Sequence, residues 1–228
     1  MDFYASSKKE LLEQIKQLKI VVPPRGKERT TDHCEQWQIY YLLKCLFDHG
    51  LVCEPFRLTK RESPDFKVEM SNLAYGIEAT EAINSDYARF QSLPESNNSD
   101  AVWDPSLFKW GDKGKSLSQL REIAKRKKLT GCGWFGDSVE REFATSILDC
   151  IENKHKKLLK GFQRYDKDCL LIYHNNSTPN IDFSLAKKLT MEKLEPYWGD
   201  GFHVIFVHKY DTLLIFTNNN VVQLSMES

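Results

Sequence analysis

The sequence has few of the features that mark membrane, secreted or disulfide-stabilised proteins. Its apolar runs stay far below the ~18–20 residues that a membrane span requires, and its first ten residues lack the apolar core of a secretory signal. Its six cysteines form no C-x-x-C pair, which argues against a zinc site and against a disulfide framework. These absences predict a cytoplasmic protein with reduced thiols and no membrane partner.

Several well-known catalytic signatures are absent as well. The chain has no P-loop, no G-x-G-x-x-G nucleotide loop, no G-x-S-x-G nucleophile elbow and no H-E-x-x-H zinc helix. The sequence therefore gives no indication of a P-loop nucleotide site, an α/β-hydrolase or a zinc peptidase.

The charge of the chain is balanced, with 32 Lys and Arg residues against 32 Asp and Glu residues among 228. A balanced chain cannot coat a polyanion uniformly, so a nucleic-acid site would have to be a local basic patch. The composition, 41% hydrophobic and 28% charged, is that of a globular protein. The length predicts a single domain over 1–228, with room for a long insertion.

Helical patterns occupy the first fifty residues. A capping box that begins at Ser7 opens a first helix, which has to end before Pro23 because proline cannot continue a helix. Thr31 or Asp32 opens a second helix, and Gly50 is placed to end it.

Three strands are predicted next, over 51–58, 65–70 and 75–80. Pro55 favours an edge position or a bulge for the first of them, since proline cannot donate to a sheet ladder. Ser71-Asn72 is typical turn sequence between the second and third. The short connections predict a meander covered by the preceding helix.

Residues 81–138 break this rhythm because Gly, Pro, Asn, Asp and Ser are dense there. The segment is too long for an ordinary connection, so we predict a functional insertion or a lid. Regular patterns return with a long helix over 139–161 and a buried apolar strand over 169–174. The remaining predicted elements are a helix over 184–194 and three strands over 202–208, 212–217 and 221–224.

Two carboxylates stand out beside the second and third predicted strands. Asp65 precedes one strand, and Glu78 lies inside the next, on the same face as Thr80. If these strands form a hairpin, Asp65 and Glu78 converge at one end of it and offer the hard oxygen ligands that suit Mg²⁺. Such an ion can polarise a phosphodiester. The alternative is a turn aspartate and a solvated glutamate, although a covered Glu78 would need a partner or a metal.

These residues carry a resemblance to a known family. The Ser-Pro-Asp-Phe sequence at 63–66, followed by Tyr-Gly-Ile-Glu-Ala-Thr-Glu at 75–81, resembles the metal-binding core of the PD-(D/E)xK nuclease superfamily. The order of elements is also similar: a helix carrying Glu35 precedes the strands, and a lysine-bearing helix leads into the strand at 169–174. The resemblance covers residues 28–80 and 139–175, and each motif is weak alone.

The resemblance implies an α/β fold with a restriction-endonuclease-like αβββαβ core, a mixed central sheet flanked by helices. It implies Mg²⁺-dependent or Mn²⁺-dependent phosphodiester hydrolysis, with Asp65 and Glu78 as catalytic metal ligands and Glu35 as a supporting metal ligand. The expected partner is nucleic acid, DNA in particular, and a homodimer is open. The implied activity is that of a DNA endonuclease in restriction, repair or defence against mobile elements.

One departure from the family pattern concerns its lysine, because position 80 is Thr. The family's lysine activates the attacking water and balances charge, which Thr80 cannot do. Lys67, Lys154 and Lys157 are candidates to replace it, and we favour Lys154 because it borders the apolar stripe of its helix. The alternative is that all three are surface lysines on a non-catalytic nucleic-acid-binding or protein-interaction module.

Basic residues concentrate in two stretches, one inside the insertion and one over 154–167. Local basic patches neutralise phosphates, although a lysine-rich helix face is often only solvated. The insertion residues that we predict to bind nucleic acid are Lys125, Arg126, Lys127 and Lys128. Three tryptophans of the insertion either stack on unpaired bases or attach the insertion to the core: Trp103, Trp110 and Trp134.

Overall fold

The computed structural model describes residues 1–26, 28–97, 102–126, 128–161 and 163–226. Within these residues the helices are α1 (Lys8–Gln17), α2 (Thr31–Asp48), α3 (Ser85–Gln91), α4 (Leu117–Lys125), α5 (Ser138–Leu158) and α6 (Phe183–Met191). The strands are β1 (Asp2–Ala5), β2 (Phe56–Lys60), β3 (Phe66–Met70), β4 (Leu73–Ala82), β5 (Val102–Trp103), β6 (Lys128–Leu129), β7 (Lys167–His174), β8 (Val204–Lys209), β9 (Thr212–Phe216) and β10 (Val221–Ser225). No helix among the described residues is both long and apolar enough to cross a membrane.

The two N-terminal helices lie close to where their sequence signals place them. The Ser7 hydroxyl accepts a hydrogen bond from the Glu10 backbone N–H and opens α1. Thr30 caps α2 in the same way, one residue before the predicted position. Gly50 follows the end of α2 with φ +68°, a left-handed conformation that glycine adopts without steric cost.

A central sheet of eight strands has the order β1-β2-β3-β4-β7-β8-β9-β10. β4, β7 and β8 run parallel to their neighbours in that group, and the other pairs are antiparallel. The sheet is flanked by helices. The predicted α/β class with a mixed, helix-flanked central sheet is therefore confirmed.

The β3–β4 hairpin has the register that the paired carboxylates require. Ser71 and Asn72 both have positive φ angles, 52° and 62°, as a two-residue turn that matches strand twist demands. Phe66 then lies opposite Ile77, which sets Asp65 against the next residue of β4.

The prediction for the first strand of the meander was wrong in its bounds and its position. The strand is β2, Phe56–Lys60, because the Leu51 N–H turns back to the Leu46 carbonyl at the end of α2. Pro55 lies before the strand, so its missing N–H removes no hydrogen bond from the sheet. The edge position predicted from Pro55 is occupied instead by β1, which pairs with β2 and has no strong sequence signal of its own.

Two apolar layers cover the faces of the sheet. On one face α2 buries Ile39 and Leu42 against side chains of β3 and β4. On the other face α5 buries Phe143, Ile147 and Ile151 against β7 and β8. Because β4 and β7 are parallel, α5 has to cross the sheet between them, and this crossing brings its lysines to β4.

The insertion attaches to α5 through two of its tryptophans. The Trp110 indole donates to Asp149 (2.6 Å), and the Trp134 indole donates to Glu142 (2.7 Å). Glu142 also accepts the Trp110 backbone N–H at 2.9 Å. These tryptophans therefore fasten the insertion to the core, while the side chain of Trp103 lies outside the described residues.

Candidate functional site

The candidate site lies where β4 extends beyond β3. β3 pairs with β4 only as far as Ile77, while β4 continues to Ala82 beside β7. Asp65, immediately before β3, accepts the Ala79 backbone N–H through Oδ2 at 2.7 Å. The carboxylate thus replaces a missing ladder partner, and the structure brings Asp65 beside Glu78.

Lys154 of α5 supplies the positive charge that Thr80 does not. Its Nζ donates to Glu78 Oε2 at 2.7 Å, and the two side chains are 18% and 12% exposed. Ile151 is fully buried and Leu158 nearly so, and these two residues hold this stretch of α5 against the core. The structure therefore brings together Asp65, Glu78 and the lysine favoured from the sequence.

Burial is the main influence on the charge of Asp65. It raises the pKa of Asp65 above the usual value, the Ala79 N–H opposes the shift, and the negative charge of Glu78 adds to it. Lys154 and Lys60 act in the opposite direction. A buried Asp65 beside the negative charge of Glu78 is a place where a positive charge is favourable.

Glu35 is connected to this pair through a residue that the sequence did not single out. Its carboxylate accepts a hydrogen bond from Lys60, whose charge also acts on Asp65. Lys60 lies opposite Phe66, at the start of β3, and its ammonium sits 4.6 Å from that ring. The predicted strand ended at 58, so the register that would have placed Lys60 beside Asp65 was not available.

A cleft of about 430 Å³ opens beside the exposed part of β4. We call it the carboxylate cleft. Its charged lining residues are Arg25, Arg29, Glu35, Glu81, Lys154 and Lys157. Asp65 and Glu78 are set back from this lining, and Glu78 is connected to the cleft through Lys154. Lys157 is exposed at the cleft, one turn along α5 from Lys154.

Lys67, the third lysine candidate, is not part of the site. It pairs with Glu69 on β3 at 2.8 Å and lies opposite Gly76, toward the other end of the hairpin. Lys67 therefore pairs with Glu69 and does not act as the lysine of the site.

Two arginines form a second charged group that sequence reasoning missed. Arg25 and Arg29, from the segment between α1 and α2, both donate to Glu81 Oε1, as does Asn175. Arg25 and Arg29 lie more than fifty residues before Glu81, and no local pattern in the sequence points to their meeting. The group carries one more positive charge than negative charge at the cleft.

Of the four basic residues of the insertion, the two whose side chains the structure describes do not join this arrangement. Lys125 and Arg126 are exposed, Arg126 pairs with Glu122, and neither lines the carboxylate cleft. Lys127 and the side chain of Lys128 lie outside the described residues. Their assignment to nucleic-acid binding stays a prediction.

The donor set fits a magnesium ion held mainly by water and substrate. Across the described part of the chain, no three His, Cys, Asp or Glu side chains are grouped as a closed metal site needs. Mg²⁺ commonly binds through one or two carboxylates, and it keeps several waters and phosphate oxygens. Asp65 and Glu78 each have one carboxylate oxygen beyond those bonded to Ala79 and Lys154, so the pair meets this requirement.

Comparison of the chain with protein-family models, curated proteins and solved structures found no match. A function is therefore inferred from the residues of this chain and from their geometry.

Proposed function

We propose that this chain is a Mg²⁺-dependent phosphodiesterase that cleaves nucleic acid, DNA in particular. The observation that carries the proposal is the contact between Lys154 and Glu78 beside Asp65. This arrangement resembles the carboxylates and the ammonium group of a PD-(D/E)xK site, with the lysine on a helix instead of on the strand. A cytoplasmic location, a homodimer and a role in restriction, repair or defence are part of the same prediction.

The order of the core elements supports a restriction-endonuclease-like core. α2 is followed by the antiparallel strands β2, β3 and β4, then α5, and then β7 parallel to β4. Apart from the insertion between β4 and α5, this order agrees with the αβββαβ core that the resemblance implies, and it supports the proposal. The carboxylates lie on β4 and at the start of β3, and the lysine lies on the crossover helix.

Asp65 and Glu78 are the residues that would hold the metal ion. A bound Mg²⁺ supplies charge for a phosphate oxygen and for the attacking water. Lys154 holds Glu78 by an ion pair, and its remaining N–H groups can donate to negative charge that develops on the phosphate. Lys60 adds positive charge on the Asp65 side.

Arg25 and Arg29 are placed to bind a neighbouring phosphate. Arginine presents a planar set of donors that matches phosphate oxygens. Their shared contact with Glu81 fixes both guanidinium groups beside the cleft before substrate arrives. The group's excess of one positive charge favours an anionic ligand.

Calorimetric titration with Mn²⁺ tests the metal site. Wild-type protein is expected to bind Mn²⁺, and Asp65→Ala or Glu78→Ala is expected to abolish binding because each removes one of only two carboxylate ligands. Glu69→Ala removes a partly exposed acid from the same hairpin and serves as the control. Unchanged Mn²⁺ affinity in both site variants would rule out the proposed ligands and favour a non-catalytic module.

A further inference from the structure

A second cavity lies on the α2 side of the sheet, beyond the ends of β7 and β8. Its volume is about 720 Å³, within the range of small-molecule sites. We call it the aromatic cavity, and the lining residues that matter here are Trp37, Tyr41, Tyr173, Asn175 and His208. None of these was singled out as functional from the sequence, and the metal site does not use them.

The rings of this cavity are already assembled around Trp37. Its ring centroid lies 5.2 Å from that of His208, and the two planes are within 9° of parallel. Tyr173 and Tyr41 approach the same indole at 4.6 and 4.5 Å. Because these side chains are already packed against one another, a flat ligand that stacks on them costs little additional side-chain entropy.

His208 is a neutral and buried member of this ring cluster. His208 is 5% exposed. Burial lowers the pKa of its imidazole, so the ring is neutral. Nε2 contacts the Tyr210 carbonyl at 2.9 Å and must therefore carry the proton. Nδ1 is then an acceptor, and it has no hydrogen-bond partner among the described residues. This unpartnered acceptor is itself buried, so His208 contributes ring stacking on Trp37 to the cluster and no hydrogen bond to a ligand.

A third cavity of about 610 Å³ adjoins both the aromatic cavity and the carboxylate cleft. Three residues line both the aromatic cavity and this middle cavity: Trp37, Tyr173 and Asn175. Three others line both the middle cavity and the carboxylate cleft: Arg25, Arg29 and Cys34. The result is one groove along α2, with carboxylates and lysine at one end, arginines in the middle and stacked rings at the other end.

We propose that the aromatic cavity binds an unpaired nucleobase of the strand whose phosphate occupies the carboxylate cleft. The inference rests on the proposed function and adds to it that the substrate is single-stranded at the groove. A base inside a duplex has to be unstacked and flipped out before it can enter a side cavity, whereas a base of an unpaired strand can stack on protein rings without that cost. The groove therefore presents charged groups that can hold phosphates and, beyond them, rings on which a base of the same strand can stack.

The test is fluorescence anisotropy of a labelled single-stranded oligonucleotide, measured in EDTA so that binding does not depend on the metal site. Wild-type protein is expected to bind the oligonucleotide about 5- to 150-fold more tightly than an abasic oligomer of the same length. Trp37→Leu should remove most of this preference and leave the affinity for the abasic oligomer unchanged. Tyr4→Leu, at an exposed aromatic residue on β1, is the matched control and should change neither affinity.

Three results would overturn the inference: equal affinity for base-bearing and abasic oligomers, an unchanged preference in Trp37→Leu, or displacement by free mononucleotides as effective as by the oligonucleotide. If Trp37→Leu does not fold, Trp37→Phe keeps a smaller ring and should lose part of the preference for the base-bearing oligonucleotide. The comparison of base-bearing and abasic oligomers on wild-type protein needs no variant. Cleavage in Mg²⁺, measured on the same preparations, keeps failure of this inference separate from failure of the nuclease proposal.

Discussion

Asp65 carries an electrostatic cost that a structural role does not explain. Burial and the neighbouring Glu78 both disfavour its ionised form, and the single Ala79 N–H does not offset them. An asparagine could accept the same backbone N–H without a charge. A carboxylate retained at such a position is typical of functional sites, where stability is exchanged for binding.

This cost predicts that Asp65→Asn stabilises the protein at neutral pH. The raised pKa means that the folded protein holds this proton to higher pH than the unfolded chain does, so wild-type stability falls as pH rises from about 4. The decline ends once pH passes the folded pKa. The variant lacks this decline and should exceed the wild type in free energy of unfolding at pH 7, with the difference vanishing near pH 4. Urea denaturation over this pH range measures it, and a variant less stable than wild type at pH 7 would contradict the account of Asp65.

Lys154 is predicted to act on the reaction more than on metal binding. Lys154→Met should retain Mn²⁺ binding but lower the cleavage rate by about 100-fold, the scale seen when one positioned electrostatic group is removed. Lys157→Met, one turn away and exposed, is the matched control and should alter the rate only slightly. Single-turnover cleavage by the two variants makes the comparison, and equal effects would remove the special role of Lys154.

At the scale of elements, α5 connects the sheet, the site and the insertion. One of its faces is buried on β7 and β8, Lys154 on its border reaches Glu78, and Glu142 holds Trp110 and Trp134. The insertion also borders the groove through α3, since Phe90 and Gln91 line the middle cavity. The insertion is therefore a wall of the groove, and α5 holds that wall in place.

This arrangement predicts that Glu142→Ala loosens the insertion without unfolding the sheet. The change leaves the Trp134 indole and the Trp110 N–H without their acceptor, and each lost partner costs roughly 1–3 kcal/mol. Amides of α3 and α4 should exchange with solvent at least tenfold faster, while those of β4 and β7 are unchanged. Hydrogen exchange measures this, and Arg141→Ala, whose partner is the exposed Asp137, is the control. Equal protection of α3 and α4 in both variants would contradict the proposed attachment.

Local patterns predicted the elements well where one signal dominates. The capping residues of α1 and α2, the Ser71-Asn72 turn and the apolar stripe of α5 all have strong local causes, and each element was found in place. β1 and the bounds of β2 were missed because a short strand at a chain end is stabilised by pairing, which no local pattern records. Because the predicted strand ended at 58, the sequence prediction did not place Lys60 beside Asp65.

At the scale of the whole molecule, the candidate site was partly readable because its two carboxylates lie in one hairpin. Asp65 and Glu78 meet through strand register, and Lys154 could be inferred from helical periodicity together with a parallel crossover. The roles of Arg25 and Arg29 and the existence of the aromatic cavity could not be predicted from the sequence. Their residues come from four or more separated segments, and only the packing of α2 on the sheet brings them to one groove.

The most direct measurement of the central claim is cleavage of labelled single- and double-stranded DNA by wild-type protein and by Glu78→Gln, with Mg²⁺, with Mn²⁺ and with EDTA. Glu78→Gln keeps the shape of the side chain and removes the charge that pairs with Lys154 and with a metal ion. The account predicts cleavage by wild type with either ion, none in EDTA, and none by the variant. Wild-type protein that binds nucleic acid but cleaves neither DNA nor RNA with either ion, or a variant that cleaves as fast as wild type, would contradict it.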